Sequence, residues 1–490
     1  MITRRTFVAS SVAASLVPRM ALAASRTDVV VIGAGLSGMN TAMMLREQGY
    51  KVVVLEADSR VGGRVETVDT PNGPVDVGAS QVGRGYARVI DMCQKLNLRL
   101  IPEDRDLLTF GGYMQGQWVD AKTWEANPLN LTVGEERKIP PMMMGSMLAS
   151  RYNPLKEVDE WLDPKFAEYD ISLHELMRRK GHSAAAIALA AHSAPGISIH
   201  ETSVLRMWQE ETRGRIDRKL APEAEPGKRL HPFGEVNDHN LIDGLAMISN
   251  IEGGASKLTQ AMGAQLGDAV QLGKRVARIA MTNSGATVTC TDGSAVSSRF
   301  VVSAIPFTML REVEITGSAN PVARRAITTM PYANTARMYL AIERPFWKED
   351  GLPPSFSTDG PMGMFWAVDN HTGEGRHRAM IVLVGKVAEA IASKGRPEAE
   401  AFLLEELYRM RPAARGLVQV STYKDWQRDP LQKGCSFSLA PGDVNAYGRD
   451  MVKPWQVMHF AGEHTRRLDI GMEAAMESGE RVAIEILGRA

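Results

Sequence analysis

The sequence predicts an α/β protein with a domain built on a buried parallel sheet, and three stretches carry that expectation. Near the front, the Val- and Ile-rich run 28–32 reads as a buried strand. Gly33 to Gly38 reads as a turn, 39–48 as a helix ended at Gly49, and 51–56 as a second apolar strand, which together make a βαβ unit. In the second half, 276–281, 286–291 and 300–304 are short β-type runs. Asn283-Ser284-Gly285 and Asp292-Gly293 separate them, giving a meander that returns to an apolar strand. At the end, 457–460 reads as a strand and Gly462 as a turn. Residues 472–487 then form a helix whose apolar stripe holds Met472, Met476, Val482, Ala483 and Ile486.

Other elements are read with less pattern behind them. Residues 172–180 and 183–192 look helical, and 337–343 is a strand candidate ended by Pro345. The charged stretch 210–237 contains Pro222, Pro226 and Pro232 and is expected to be an exposed loop, with a lid over a pocket as the alternative.

Composition excludes several function classes. The 490 residues make about three units at roughly 150 residues per domain, or two large interleaved ones. Hydrophobic residues are 44% and charged residues 23%, so the chain is neither disordered nor collagen-like. Lys plus Arg equals Asp plus Glu at 57 each, so no basic excess points to nucleic acid. Three cysteines cannot form a disulfide framework, and no metal is expected. Aromatics are only 6% while Met numbers 27, so pockets are expected to be lined by sulfur and aliphatics more than by rings.

The first 26 residues read as an export signal and not as fold. Arg4-Arg5 precedes Thr6-Phe7, then comes an apolar or small run over 8–17, then Ala21-Leu22-Ala23 as a cleavage site. The paired arginines point to the twin-arginine route, which carries folded, cofactor-loaded proteins, and so to the periplasm. The apolar stretch is too short to span a bilayer, and no other stretch in the chain is long and apolar enough.

The chemistry begins at Gly33-Ala34-Gly35-Leu36-Ser37-Gly38, a G-x-G-x-x-G between a strand and a helix, with Glu56 at the end of the next strand. In that context it is a dinucleotide-binding fingerprint. Gly33 allows the turn, Gly35 lets backbone approach a pyrophosphate, and Gly38 lets helix and strand pack closely. The helix N-terminus offers N–H groups and partial positive charge to phosphate. Glu56 is placed to accept hydrogen bonds from a ribose. Shortly after comes Gly62-Gly63-Arg64, two glycines near a ligand and a forked cation.

This combination resembles the FAD-binding oxidoreductases of the glutathione reductase type, and more narrowly the flavin-containing amine oxidases. The resemblance covers almost the whole chain beyond the signal. Asp76-Val77-Gly78-Ala79-Ser80-Gln81-Val82-Gly83 is similar to the family's strand and turn near the flavin ring. Ile251-Glu252-Gly253-Gly254 resembles its entry into the second FAD segment, Val276 its adenine-side residue, and Val301 to Pro306 the strand that returns under the FAD. Phe460 to Thr465, with Gly471-Met472-Glu473 and Ser478 to Arg481, resembles its C-terminal signature. There Gly462 and Glu463 would meet the ribityl chain, and the helix opening near Gly471 and Met472 would aim its N-terminus at the flavin. Trp426 with Gly434-Cys435 resembles the animal monoamine oxidases, in which a Cys is linked to the flavin ring methyl by a thioether. Cys435 is therefore either that link or a small apolar residue against the flavin.

The sequence also departs from the pattern. Arg337 stands where the family usually has a Lys that holds a water near flavin N5, and Arg cannot act as a proton-accepting amine. It either orders a water or an anion, or is structural. Ser436 and Gly471 stand where the animal enzymes have two tyrosines framing the substrate nitrogen, so a wider or differently lined site is expected. Gln81 stands near where L-amino-acid oxidases place a carboxylate-clamping Arg, so a bare amino acid is not the expected substrate. Trp366 supplies either an aromatic wall or core.

The resemblance implies an α/β fold in which a Rossmann-type FAD-binding domain formed by 28–85, 241–308 and 428–490 is interleaved with an α+β substrate-binding domain formed by 86–240 and 309–427. The expected reaction is oxidation of a small-molecule amine by hydride transfer to flavin N5, with oxygen or a respiratory electron carrier as acceptor. Dehydrogenation of a C–C or C–O bond in an apolar substrate is the alternative, supported by the missing tyrosines.

Overall fold

A computed structural model of the chain describes residues 27–193, 197–220, 248–368 and 377–489, and the expected export signal lies outside them. The first strand, Thr27–Ile32, pairs in parallel with Val52–Leu55 on one side and Ala295–Ser303 on the other, with Val30 opposite both Val53 and Val301. Val29, Val30 and Val31 are all fully buried, because both faces of this sheet are covered. That is why the run shows no in–out alternation.

Val270–Gln271 extends the sheet beyond Val52–Leu55, and Met458–Phe460 joins in parallel alongside Ala295–Ser303. The meander forms as expected: Val276–Met281 and Ala286–Cys290 are antiparallel, and the latter is antiparallel to Ala295–Ser303. Glu314–Thr316 then pairs with Val276–Met281, so this sheet reaches past residue 308.

Helix Leu36–Glu47 and the last helix, Gly471–Leu487, pack against each other. The Asn40 side chain donates to the Met476 carbonyl at 2.8 Å, and Thr41 Oγ1 to the Gly479 carbonyl at 3.0 Å. The two ends of the described chain are thereby locked side by side over one sheet.

A second sheet has seven strands, in the order Val418–Asp425, Thr335–Ile342, His377–Val384, Met364–Val368, Ser355–Thr358, Phe110–Met114 and Gln117–Val119. It has its own core, in which Met338, Phe356, Phe365, Ile381 and Leu403 are fully buried. Leu173–Arg179 and Ala184–Ala191 are the two expected helices, N-capped by Ser172 and Ser183.

One expectation is corrected. Residues 204–220 form a helix, so the front of the supposed 210–237 loop is regular structure. Two of its charges are spent on partners: Glu210 meets Arg466 at 2.9 Å, and Arg213 meets Asp469 at 2.6 Å. The rest of that stretch, 221–247, lies outside the described residues. Among the described residues no helix is long and apolar enough to cross a membrane, and no His/Cys/Asp/Glu cluster could hold a metal ion.

Candidate functional site

A cavity of about 550 Å³ opens where the first sheet, the last helix and one face of the second sheet meet. That volume lies within the roughly 300–1,000 Å³ of small-molecule and cofactor pockets. No aromatic ring is among its lining residues, whereas Met309 and Met472 are, as the composition led us to expect.

The fingerprint forms one wall through Gly33, Gly35, Leu36, Ser37 and Glu56. Gly38 acts from behind: a Cβ there would stand 2.1 Å from the Gly33 carbonyl oxygen and 3.1 Å from Val31, so only glycine lets helix and strand approach this closely. Gly35 is the reverse case. A Cβ there would find its nearest neighbour at 3.9 Å, so its bare face leaves open space for a ligand. Helix Leu36–Glu47 has no side-chain cap at its N-terminus, and its free N–H groups are left to that space. Glu56 is 9% exposed; its carboxylate accepts from Ala34 N at 2.7 Å and Asp58 N at 2.8 Å, which clamps the turn. Burial pushes its pKa up, against those two hydrogen bonds.

Val276 lies along the same wall, because Lys274 N donates to the Glu56 carbonyl at 2.6 Å and draws the meander against the second strand. Lys274, Arg275 and Glu312 also line the cavity, and Glu312 is paired with Arg275 at 2.8 Å and with Lys433. Sequence reasoning missed this charged rim, which joins residues far apart in the chain without a local motif.

Gly63, Arg64, Gly78 and Ala79 form the middle of the cavity. Arg64 Nη1 donates to the carbonyl oxygen of Cys435, which pins the Cys435 segment against Gly63–Arg64. The segment is held further by Trp426, fully buried, whose indole N–H donates to the Val77 carbonyl at 2.9 Å, and by Cys435 N donating to Ala333 O at 3.1 Å. Cys435 and Ser436 both face the cavity.

Arg337 lies on the strand Thr335–Ile342 and also lines the cavity. Its Nη1 donates to the Gly78 carbonyl and lies 3.5 Å from that of Asp76, while its buried Nε has no partner among the described residues. Gly462 and Glu463 close the far side, and Gly471, Met472 and Ala475 bring in the N-terminus of the last helix, which again has no side-chain cap.

Three of the residues singled out from the sequence lie elsewhere. Ser80 does not line the cavity. Trp366 does not supply a wall: it packs with Val75, Met380 and Trp426 in the small cluster behind Cys435, edge-on to Phe110 at 5.6 Å. Its strand, Met364–Val368, is separated from the strand of Arg337 by His377–Val384. Gln81 donates to Glu103 at 2.9 Å and also lies outside the lining.

The residues present fit FAD. An uncapped helix N-terminus and a bare Gly35 suit a pyrophosphate, Glu56 lies at the end of the strand beside them, and a second uncapped helix N-terminus meets the same cavity.

Comparison with known proteins agrees. Residues 36–487 match the family model of flavin containing amine oxidoreductases. The human flavin-containing amine oxidase B is 25% identical over 484 residues, spanning 94% of this chain and 86% of that protein. A probable flavin-containing monoamine oxidase A of Dictyostelium discoideum is 23% identical over 480 residues, 94% of this chain and 97% of that one. Among solved structures, cyclohexylamine oxidase from Brevibacterium oxydans superposes with a TM-score of 0.75 at 20% identity, covering 95% of this chain and 99% of that one. Putrescine oxidase bound to putrescine superposes with a TM-score of 0.72 at 20% identity over the same shares. With the fingerprint, the cavity and a family match over nearly its whole length in agreement, this chain belongs to the flavin-containing amine oxidoreductases.

Proposed function

We propose that the protein is an FAD-dependent enzyme that oxidises a small-molecule amine at the carbon bearing nitrogen, giving an imine that water hydrolyses to a carbonyl compound. The observation that carries this is the convergence on one cavity of the fingerprint turn, the Arg337–Gly78 contact and the N-terminus of the last helix. FAD bound there supplies a hydride acceptor. The chain binds and orients. The helix opening at Gly471 places partial positive charge where negative charge develops, an effect worth about 0.3–2 kcal/mol. A neutral amine needs no side-chain base, since its own lone pair supports the forming C=N bond; this suits a cavity whose Lys position is taken by Arg337.

Three finer points belong to the same reading. Segments 28–85, 241–308 and 428–490 hold the cofactor, and 86–240 and 309–427 the substrate; the placement of Arg337 at the cavity from the second set supports a site between them. Cys435 carries the cofactor through a thioether, supported by its place in the wall and by Arg64 and Ala333 fixing its backbone. The enzyme is exported to the periplasm and passes electrons to a respiratory carrier in preference to oxygen, supported by Arg4-Arg5 and by Arg337. Anaerobic mixing of the yellow protein with a panel of primary amines tests the function: bleaching of the flavin is expected, and none with any amine would overturn it.

A further inference from the structure

Gly471 opens the last helix, lines the cavity, and has φ +57°, a conformation that favours glycine. The direction a side chain would take from it is already occupied. A Cβ on Gly471 would stand 2.7 Å from the hydroxyl oxygen of Tyr86, a residue from a separate element. The Tyr86 ring lies against a second glycine, Gly83, where a Cβ would be 3.2 Å from Cε1. Two bare backbone positions thus make a slot that holds this phenol against Gly471, which itself lines the cavity.

The phenol is fixed there. Tyr86 directly precedes helix Ala87–Lys95, whose first N–H groups, Arg88 N at 2.9 Å and Val89 N at 3.0 Å, donate to the buried carboxylate of Glu473. Glu473 lies two residues beyond Gly471, so these bonds tie the two helix starts together next to the phenol.

The hydroxyl itself is unspent. Three other interior tyrosines use theirs: Tyr339 donates to Asp76 O at 2.6 Å, Tyr447 to Asp443 at 2.7 Å, and Tyr332 accepts from Phe307 N at 3.0 Å. The Tyr86 hydroxyl makes no hydrogen bond with any described residue, and Tyr86 is half-buried. Burial, then the carboxylates of Glu473 and Glu463, push its pKa up, so it stays a neutral phenol.

Resting on the amine-oxidation reading, we propose that Tyr86 is a substrate-contacting residue whose hydroxyl oxygen accepts an N–H of the bound amine. An acceptor on the N–H leaves the nitrogen lone pair free for the forming C=N bond. It also makes the site selective for primary and secondary amines over tertiary ones, which have no N–H to give. On this reading the site is differently lined, one of the two outcomes expected from Ser436 and Gly471: a phenol from another element stands beside Gly471.

The test compares Tyr86→Phe with wild type, using one primary amine and its N,N-dimethyl analogue, in anaerobic reduction of the holoenzyme. Loss of one hydrogen bond should lower the second-order rate for the primary amine about tenfold and leave the tertiary analogue within twofold, so the preference collapses. FAD content and thermal midpoint should match wild type. Gly471→Ala, which pushes the hydroxyl aside without removing it, should shift the preference in the same direction. An unchanged primary-to-tertiary ratio in Tyr86→Phe overturns the proposal while leaving amine oxidation intact. So does loss of FAD or of the fold in that variant, which would make Tyr86 structural. Failure of every amine to reduce wild type would instead remove the underlying reading and the proposal with it.

Discussion

The guanidinium of Arg337 is tied to the backbone carbonyl of Gly78, on a turn that lines the same cavity. Two residues along the strand, Tyr339 holds the Asp76 carbonyl at 2.6 Å, so the turn is gripped twice from one strand. A planar cation held this way is a fixed feature of the wall. A lysine in its place would be a mobile point charge able to hold water. On the proposed reading, reduced enzyme reoxidises slowly in air-saturated buffer and faster with a one-electron carrier, and Arg337→Lys speeds the reaction with oxygen. Stopped-flow reoxidation measures both. Rapid reoxidation of wild type by oxygen, unaffected by a carrier, would contradict it.

Gly35→Val fills the open face beside the uncapped helix N-terminus, where the nearest heavy atom now lies 3.9 Å from a Cβ position. The protein should fold yet purify colourless. Retention of a normal flavin spectrum would detach the fingerprint from cofactor binding.

Cys435 faces the cavity on a segment held by Arg64 and Ala333. If the thioether forms, acid-denatured wild-type protein stays yellow and Cys435→Ala releases all its flavin. Flavin freely extracted from wild type removes the link and leaves the amine chemistry untouched.

Glu136 gives a pH signature of stability. Its carboxylate is buried, which pushes its pKa up. Hydrogen bonds from Ser183 Oγ at 2.5 Å, Ser183 N at 3.0 Å and His182 Nδ1 at 2.7 Å outweigh that and hold it below the usual value. A lowered carboxylate pKa stabilises the fold above its unfolded value, and that contribution disappears as pH falls through the folded one. Glu136→Gln should therefore cost about 2 kcal/mol at neutral pH, with the gap to wild type closing on acidification below about pH 4. Urea melts at pH 7 and about pH 2.5 measure it; an equal gap at both would be the contrary result.

The parts legible in the sequence are those with local causes. Gly33 to Gly38 and Glu56 lie within one βαβ unit, and their spacing carries the geometry. The second sheet is different. Phe110–Met114 contains Gly111 and Gly112 and pairs in parallel with Ser355–Thr358, a partnership without a local signal. The helix through 204–220 was hidden because Glu210 and Arg213 look solvated until Arg466 and Asp469 arrive from the far end of the chain. Tyr86 was hidden for the same reason: nothing near it in sequence points to Gly471.

Anaerobic stopped-flow reduction of the purified flavoprotein by a panel of primary amines tests the central claim most directly. Saturable bleaching of the flavin band, with the corresponding aldehyde or ketone and ammonia released in equal amounts, is the predicted result. A flavin that stays oxidised with every amine but is bleached by an apolar alcohol or a saturated C–C substrate would contradict it.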